Sequence, residues 1–190
     1  METQYDKFVI FKNNLTSVKE TSKDSDSEEI GYMTESDLQV INFDKVKEQY
    51  ARKLGVSETP CSSDALYLSK AGCYYFIEFK NGKVKNNVIY NVYNKIYDSL
   101  LIFTDIVGEN ISFCRQNANF ILVYNEDKNP NDEKEQRDKS RVAIGKHFMK
   151  KAGKKFIRFN LEKFEKLYFQ EVFTYTETEF EQEFVQKQEK

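Results

Sequence analysis

The stretch "SSDALYLSKAGCYYFIEFKNGK", residues 62–83, largely determines how the chain can fold. The segments "SDALYLS" and "CYYFIEFKN" are rich in strand-forming residues. Between them, "KAG" is a turn signal, because Gly72 can adopt a positive φ. The sequence therefore predicts a β-hairpin, and three charged residues, Asp64, Glu78 and Lys80, lie within its apolar strands.

The hairpin register decides whether these charges meet. A turn centred near Ala71 places Asp64 directly opposite Glu78, and opposed residues share a face of the sheet. Glu78 and Lys80 are two residues apart and share that face, whereas Ile77 and Phe79 point to the other side. The sequence thus predicts one patch with two carboxylates and an ammonium group.

A divalent cation would explain this patch, because like charges opposite each other otherwise destabilise a strand pair. Mg²⁺ binds one or two carboxylates and completes its shell with water and substrate phosphate oxygens. We therefore predict a Mg²⁺ or Mn²⁺ site held by Asp64, Glu78 and the backbone carbonyl of Phe79. The alternative is a solvated strand edge on which Lys80 forms salt bridges with the two acids.

Hydrophobic periodicity predicts the elements around the hairpin. Residues 43–54 have apolar Val46, Tyr50 and Leu54 at helical spacing, and residues 86–107 form a long amphipathic helix that ends at Gly108. A continuous apolar run predicts a strand at 119–124, and further strands are expected at 154–161 and, shorter, at 8–11. The fold class expected is α/β, with a central mixed sheet flanked by helices.

Charge is unevenly distributed. The formal net charge of the 190 residues is -2, yet residues 137–158 carry nine positive side chains and one negative one. Such a basic segment suits the binding of phosphate groups, and a solvated helix face is the alternative. The candidate nucleic-acid contacts are Lys146, Lys150, Lys151, Lys154 and Lys155.

The cysteines and the first residues indicate the compartment. Cys61, Cys73 and Cys114 show no CxxC spacing, so a zinc site is not expected. The apolar run near the N-terminus is too short and too charged at its flanks for a signal peptide or a membrane span. We expect a cytoplasmic protein without a membrane partner.

Asp64, followed by thirteen residues and then Glu78-Phe79-Lys80, resembles the motif of the PD-(D/E)XK nuclease superfamily. The predicted order of a helix, the hairpin, a second helix and a further strand is also similar to that superfamily, over about the middle half of the chain. Ser63 precedes Asp64 where the family frequently has proline. The resemblance implies a restriction-endonuclease-like fold.

The resemblance also implies roles. Asp64 and Glu78 would be metal ligands and Lys80 the catalytic lysine. Members often add a polar or basic residue on the following helix, for which Lys95, one turn after Asn91, is the candidate. Some members have a glutamate on the first helix, and Glu48 is the nearest match, although it lies off the apolar stripe.

A single domain is expected for residues 1–190. Residues 1–42 would be an N-terminal segment with an acidic loop, either irregular or disordered, at 19–30. Residues 43–160 would be the nuclease-like core and residues 161–190 a helical tail.

Two function classes follow. The first is a Mg²⁺-dependent nuclease that hydrolyses DNA, with RNA as the second choice. Many nucleases of the superfamily work as dimers, so the resemblance would be consistent with a homodimer. The second is a non-catalytic interaction protein on the same fold, such as an immunity protein or a phage-related inhibitor, whose partner is a protein.

Overall fold

The computed structural model describes residues 7–24, 31–130 and 156–189. It is a mixed α/β structure with a six-stranded mixed sheet flanked by helices, which confirms the predicted fold class. In chain order the strands are β1 (Leu15–Ser17), β2 (Lys23–Asp24), β3 (Gly31–Tyr32), β4 (Gln39–Asn42), β5 (Ala65–Leu68), β6 (Tyr74–Lys80), β7 (Ala118–Tyr124) and β8 (Glu171–Thr176). The helices are α1 (Val9–Lys12), α2 (Val18–Thr21), α3 (Phe43–Lys53), α4 (Asn86–Val107) and α5 (Ile111–Asn117). Near the C-terminus there is a short 3-10 turn, Glu162–Phe164. The C-terminal helical segment follows β8 and consists of Glu177–Phe180, the π-helical Glu181–Val185 and Gln186–Gln188.

The main sheet has the strand order β1-β4-β5-β6-β7-β8. The pairs β1–β4, β4–β5 and β5–β6 are antiparallel, whereas β7 runs parallel to both β6 and β8. The parallel β6–β7 pair requires a long crossover connection, which α4 and α5 supply. β2 and β3 form a separate antiparallel pair.

The hairpin has the predicted register. Ala65 pairs with Ile77 and Leu68 pairs with Tyr74 across β5 and β6. The turn is closed by a 2.9 Å hydrogen bond from the Gly72 N–H to the Ser69 carbonyl, and Gly72 has a φ of +84°. The ladder starts at Ala65, so Asp64 lies one position beyond it.

Helix α4 covers one face of the sheet. Its buried side chains recur at three- and four-residue spacing, as predicted, and the helix ends at Gly108 in the left-handed region with a φ of +71°. Phe76 and Leu122 belong to the same core cluster as the buried residues of α4. Glu78 alternates with Phe76 along β6, so its side chain points to this face as well.

The opposite face of the sheet carries a second core. Ile77, Phe79 and Val123 pack there against Phe180 and Phe184 of the C-terminal helical segment. Ile77 and Phe79 therefore point away from Asp64 and Glu78, as the two-residue alternation predicts. Among the helices in the described ranges, none is both long and apolar enough to cross a lipid bilayer.

Two N-terminal predictions are wrong. Residues 8–11 were expected as a strand, but Val9–Lys12 is helical, because this places the rings of Phe8 and Phe11 together on the core side, with centroids 5.4 Å apart. Within the expected loop 19–30, Val18–Thr21 is a helix capped by the Ser17 side chain, which accepts a hydrogen bond from the Glu20 N–H. Lys23–Asp24 is a strand, and residues 25–30 lie outside the described part.

Two C-terminal predictions also need correction. The described part of the expected strand 154–161 is irregular and turns at Phe159 and Asn160, which have φ values of 62° and 55°. The place beside β7 is taken instead by Glu171–Thr176, within a tail expected to be helical. This strand alternates buried and less buried residues, so its period is two. The sheet thus extends beyond residues 43–160 in both directions.

Candidate active site

Asp64 and Glu78 meet where the hairpin ladder ends. The Phe79 N–H donates a 2.7 Å hydrogen bond to Oδ2 of Asp64, which fixes that carboxylate beside β6. The Glu78 side chain is fully buried, with 0% of its surface exposed. Two carboxylates are therefore held together at the edge of the core.

Lys95 of α4 joins these two carboxylates. Its Nζ lies 2.9 Å from Oδ1 of Asp64 and 2.7 Å from Oε1 of Glu78. The two oxygens thus converge on one point, which the lysine ammonium group occupies. In the sequence, Lys95 is 31 positions from Asp64 and 17 positions from Glu78. The three residues meet because α4 packs on the sheet face to which Glu78 points.

Lys80 completes the cluster from the same strand as Glu78. Its Nζ also donates a hydrogen bond to Oε1 of Glu78. The predicted patch of Asp64, Glu78 and Lys80 is therefore assembled, and Lys95 adds a second ammonium group. The formal charges of the two carboxylates and the two ammonium groups therefore sum to zero.

Among the four charged groups of the cluster, the Glu78 carboxyl group is in the least favourable electrostatic environment. Burial raises the pKa of its carboxyl group to about 7, and the nearby Asp64 adds to this, while Lys80 and Lys95 act in the opposite direction. Its Oε1 has both lysines as partners, but its Oε2 is buried and makes no hydrogen bond with the described residues. Such an oxygen is an unused acceptor in an otherwise satisfied core.

Lys95 is held in its charged form. Burial lowers the pKa of the ammonium group, but the carboxylates of Glu78 and Asp64 outweigh that effect, and the pKa is raised above its ordinary value. Lys95 therefore remains a cation at any pH relevant to function.

Hydrogen bonds fix the loop that precedes Asp64. The Cys61 N–H donates to the Asp98 carboxylate and the Ser63 N–H donates to the Ser99 hydroxyl, both at 2.8 Å. Asp98 and Ser99 lie one turn after Lys95 on α4. The Ser62 hydroxyl donates to Oδ1 of Asp44 on α3 at 2.6 Å. Hydrogen bonds to two helices, α3 and α4, thus hold this loop in place.

Three members of the cluster, Asp64, Lys80 and Lys95, line a cavity of about 830 Å³, whereas the fully buried Glu78 does not. Asn87 and Asn91 of α4 and residues 20–24 line it as well. Nδ2 of Asn81, just after β6, donates a 2.7 Å hydrogen bond to the Asp24 carboxylate and so ties residues 20–24 to the end of the strand.

The residues suit a hard divalent cation. The N–H and C=O of a strand residue point to the same side, so the Phe79 carbonyl faces the side on which its N–H meets Asp64. The two carboxylates, of which Glu78 still has Oε2 unused, and this carbonyl are oxygen ligands of the kind that Mg²⁺ accepts when water and phosphate fill the rest of its shell. The described residues contain no cluster of three or more His, Cys, Asp or Glu side chains able to hold a metal ion.

Several predicted residues do not join the site. Glu48 is exposed on α3 and does not line the cavity, whereas Asp44, one turn earlier, does. Leu54, expected on the apolar stripe of the same helix, is 58% exposed. The proposed nucleic-acid contacts lie outside the described residues: Lys146, Lys150, Lys151, Lys154 and Lys155.

The sequence reasoning missed Asp44, Asp98 and Ser99. An acidic residue in the first turn of a helix is common, because it interacts favourably with the helix dipole, so Asp44 gave no functional signal. Asp98 follows Lys95 by three positions and so lies near it on α4, but its hydrogen bond with the Cys61 N–H has no local signature. Ser99 is buried, and its hydrogen bond to a distant loop has no local signature.

Comparison of the chain with family models, curated proteins and solved structures gives no match. The geometry of the cavity and its charged cluster is therefore the basis for the function proposed below.

Proposed function

We propose that this protein is a metal-dependent nuclease of the PD-(D/E)XK type, which hydrolyses phosphodiester bonds of DNA, with RNA as the second choice. The observation that carries this proposal is that Glu78 is linked to Asp64 through Lys95 and to Lys80 directly, that Asp64 and Lys80 line an open cavity, and that one Glu78 oxygen is buried and unused. A purely structural ion pair would have little reason to leave a buried carboxylate oxygen without a donor.

In this proposal Asp64, Glu78 and the Phe79 carbonyl hold Mg²⁺ or Mn²⁺. When bound, the cation supplies a Lewis acid that polarises the scissile phosphate and favours ionisation of the attacking water. Lys80 orients that water and stabilises developing negative charge through its ammonium group. Lys95 holds the two carboxylates together when no cation is bound, and Asp98 and Ser99 hold the loop that positions Asp64.

We also propose a nucleic-acid contact surface, an assembly state and a cellular location. The lysines of residues 146–155 would bind the phosphate backbone, which adds affinity and salt dependence rather than sequence selectivity. A homodimer is the expected assembly by resemblance. A cytoplasmic location accords with the three free cysteines, Cys61, Cys73 and Cys114.

One observation favours the second candidate, a non-catalytic interaction protein. Lys80 and Lys95 already neutralise the two carboxylates, so the cluster is electrostatically complete without a cation. In that case the charged residues would serve to stabilise the fold, and an immunity protein or a phage-related inhibitor that binds a protein partner would be the function.

Cleavage assays separate the two candidates. The protein is incubated with plasmid, single-stranded DNA and RNA in Mg²⁺ or Mn²⁺, beside Glu78→Gln and Lys80→Ala. The matched controls are Glu48→Gln and Lys45→Ala, which change exposed residues of α3 outside the cavity. A nuclease would lose cleavage at least a hundredfold in the first two variants and keep it in the controls.

Two results would contradict the nuclease proposal. One is cleavage that survives both Glu78→Gln and Lys80→Ala, which would indicate a contaminating enzyme. The other is the absence of cleavage on every substrate by the wild-type protein, together with no change in its melting temperature when Mg²⁺ or Mn²⁺ is added.

A further inference from the structure

Residues 79–97 contain no Asp or Glu, although the whole chain has 31 acidic residues among 190. At that frequency, about three would be expected in a segment of this length. The segment covers the end of β6 and the first half of α4, which form one side of the cavity. It contains four lysines and five asparagines: Lys80, Lys83, Lys85, Lys95, Asn81, Asn86, Asn87, Asn91 and Asn94.

Within this segment, α4 presents a solvent-exposed face with two tyrosines. We call it the α4 tyrosine face, and it consists of Asn87, Tyr90, Asn91, Asn94 and Tyr97, all of them exposed. Spacings of three and four residues place these side chains on one side of the helix. Asn87 and Asn91 also line the cavity, so the face is continuous with the site that contains Asp64 and Lys95.

Tyr90 is the most accessible ring on this face, at 66% exposure. It meets Tyr93 edge to face, with centroids 5.8 Å apart, an arrangement that leaves the flat side of a ring open for stacking. A cation lies close by, because Nζ of Lys163 is 3.6 Å from the centroid of the Tyr93 ring. Tyr97 packs its ring edge to face with Phe164 and Tyr168 and extends the face by two helical turns.

The size of the cavity limits the ligand. A volume of about 830 Å³ is typical of pockets that enclose a small molecule. That volume can hold one or two nucleotides of a single strand. Exposed aromatic rings beside positive charge are the means by which proteins bind unpaired bases without reading their sequence.

We infer that the α4 tyrosine face binds single-stranded nucleic acid, with one base stacked on Tyr90 and the strand continuing past Asn87 and Asn91 into the cavity. This inference rests on the proposed nuclease function and specifies its substrate class. Lys83, Lys85 and the amides of residues 79–97 contact phosphate and base edges, and the absence of acidic residues from this segment limits repulsion of the phosphates along it. The acidic residues of the cavity, Glu20, Asp24, Asp44 and Asp64, lie outside the segment.

The test is binding without cleavage. Fluorescence anisotropy is measured in EDTA with labelled single-stranded DNA and RNA and with the matching duplexes. The variants are Tyr90→Ala, Tyr90→Phe and, as a control of equal exposure further along the same helix, Leu101→Ala. Loss of one stacked base should weaken single-strand binding about 5- to 150-fold in Tyr90→Ala. Tyr90→Phe and Leu101→Ala should stay within about twofold of wild type.

The inference is overturned if Tyr90→Ala binds single strands as tightly as wild type, if duplex is preferred, or if the protein binds no nucleic acid. Its failure can be told apart from that of the proposed function. Duplex cleavage that requires Glu78 but not Tyr90 would keep the nuclease and remove the inference. Single-strand binding through Tyr90 without cleavage in Mg²⁺ or Mn²⁺ would keep the inference and remove the nuclease.

Discussion

Nζ of Lys95 lies 2.7 Å from Oε1 of Glu78, so a cation from α4 meets a carboxylate that has no exposed surface. The same nitrogen is 2.9 Å from Asp64. A divalent cation held by the two carboxylates would compete with this ammonium group for the same oxygens. This competition determines how the stability of the protein should respond to divalent cations.

Replacement of Lys95 by Met should destabilise the metal-free protein and increase its response to Mg²⁺. Loss of a partner to a buried charge costs about 3 kcal/mol of unfolding free energy. The cation then no longer competes with Lys95 for Asp64 and Glu78, and only Lys80 remains as a partner of Glu78, so Mg²⁺ should raise the melting temperature of Lys95→Met more than that of wild type. Thermal unfolding with EDTA or Mg²⁺ checks this, with Lys45→Met on α3 as control. A smaller Mg²⁺ response in Lys95→Met would contradict the assignment of the site.

Replacement of Glu78 by Gln should change how stability depends on pH. The Glu78 pKa is about 7 in the folded protein against an ordinary value of 4.5, so the folded state binds more protons between these values. The contribution of Glu78 to stability is therefore present below pH 4.5 and is lost as the pH rises through 7.

From pH 5 to pH 8, wild type should accordingly lose more stability than Glu78→Gln, by up to about 3 kcal/mol. Urea unfolding in EDTA at both pH values measures this difference. Parallel pH profiles for the two proteins would show that the carboxylate of Glu78 does not titrate in this range.

Replacement of Ser99 by Ala should weaken the site through its loop. The Ser63 N–H is buried and would lose its acceptor, which costs about 1–3 kcal/mol. Asp64 follows directly, so catalysis by the proposed nuclease should fall about tenfold or more, since small displacements of catalytic groups slow reactions strongly. Urea unfolding and cleavage rates test this beside Ser57→Ala, which changes an exposed serine. Equal stability of the two variants would contradict it.

The three cysteines should differ in reactivity. Burial raises the pKa of the Cys114 thiol to about 11, with a smaller contribution from Glu109, so little thiolate forms at neutral pH. Cys61 and Cys73 are partly exposed. At pH 8 the native protein should react quickly with a thiol reagent at two positions and with Cys114 only after unfolding. Mass spectrometry of alkylated peptides identifies the modified residues, and rapid labelling of Cys114 would be inconsistent with its buried position.

The sequence predicts correctly those elements whose hydrophobic pattern is long or whose register is fixed by a turn. The hairpin register follows from the Gly72 turn and from strand-forming residues on both sides, and α4 from a stripe of buried residues that includes Val92, Ile96 and Phe103. These two elements bring Glu78 and Lys80 to the face that α4 covers, so their proximity to Lys95 could be anticipated.

Short elements could not be predicted because tertiary contacts decide them. The four residues Val9–Lys12 are helical because Phe11 packs its ring against that of Phe103, at 6.3 Å, on a distant helix. Glu171–Thr176 becomes a strand because β7 offers a free edge. The contacts of Asp98 and Ser99 with residues 61–63 depend on how α4 is placed on the sheet, which no local pattern encodes.

The position of Lys95 on α4 has a consequence for how the chain folds. The hairpin contacts are local, whereas α4 docks from further along the sequence and is the element that covers Phe76 and Glu78. The docking that encloses Glu78 also delivers the Lys95 ammonium group to it. Burial of the charge and arrival of this second counter-charge are therefore coupled, whereas the first, Lys80, is local to the same strand. Any state in which α4 is undocked leaves Glu78 open to water, with Lys80 as its nearest cation.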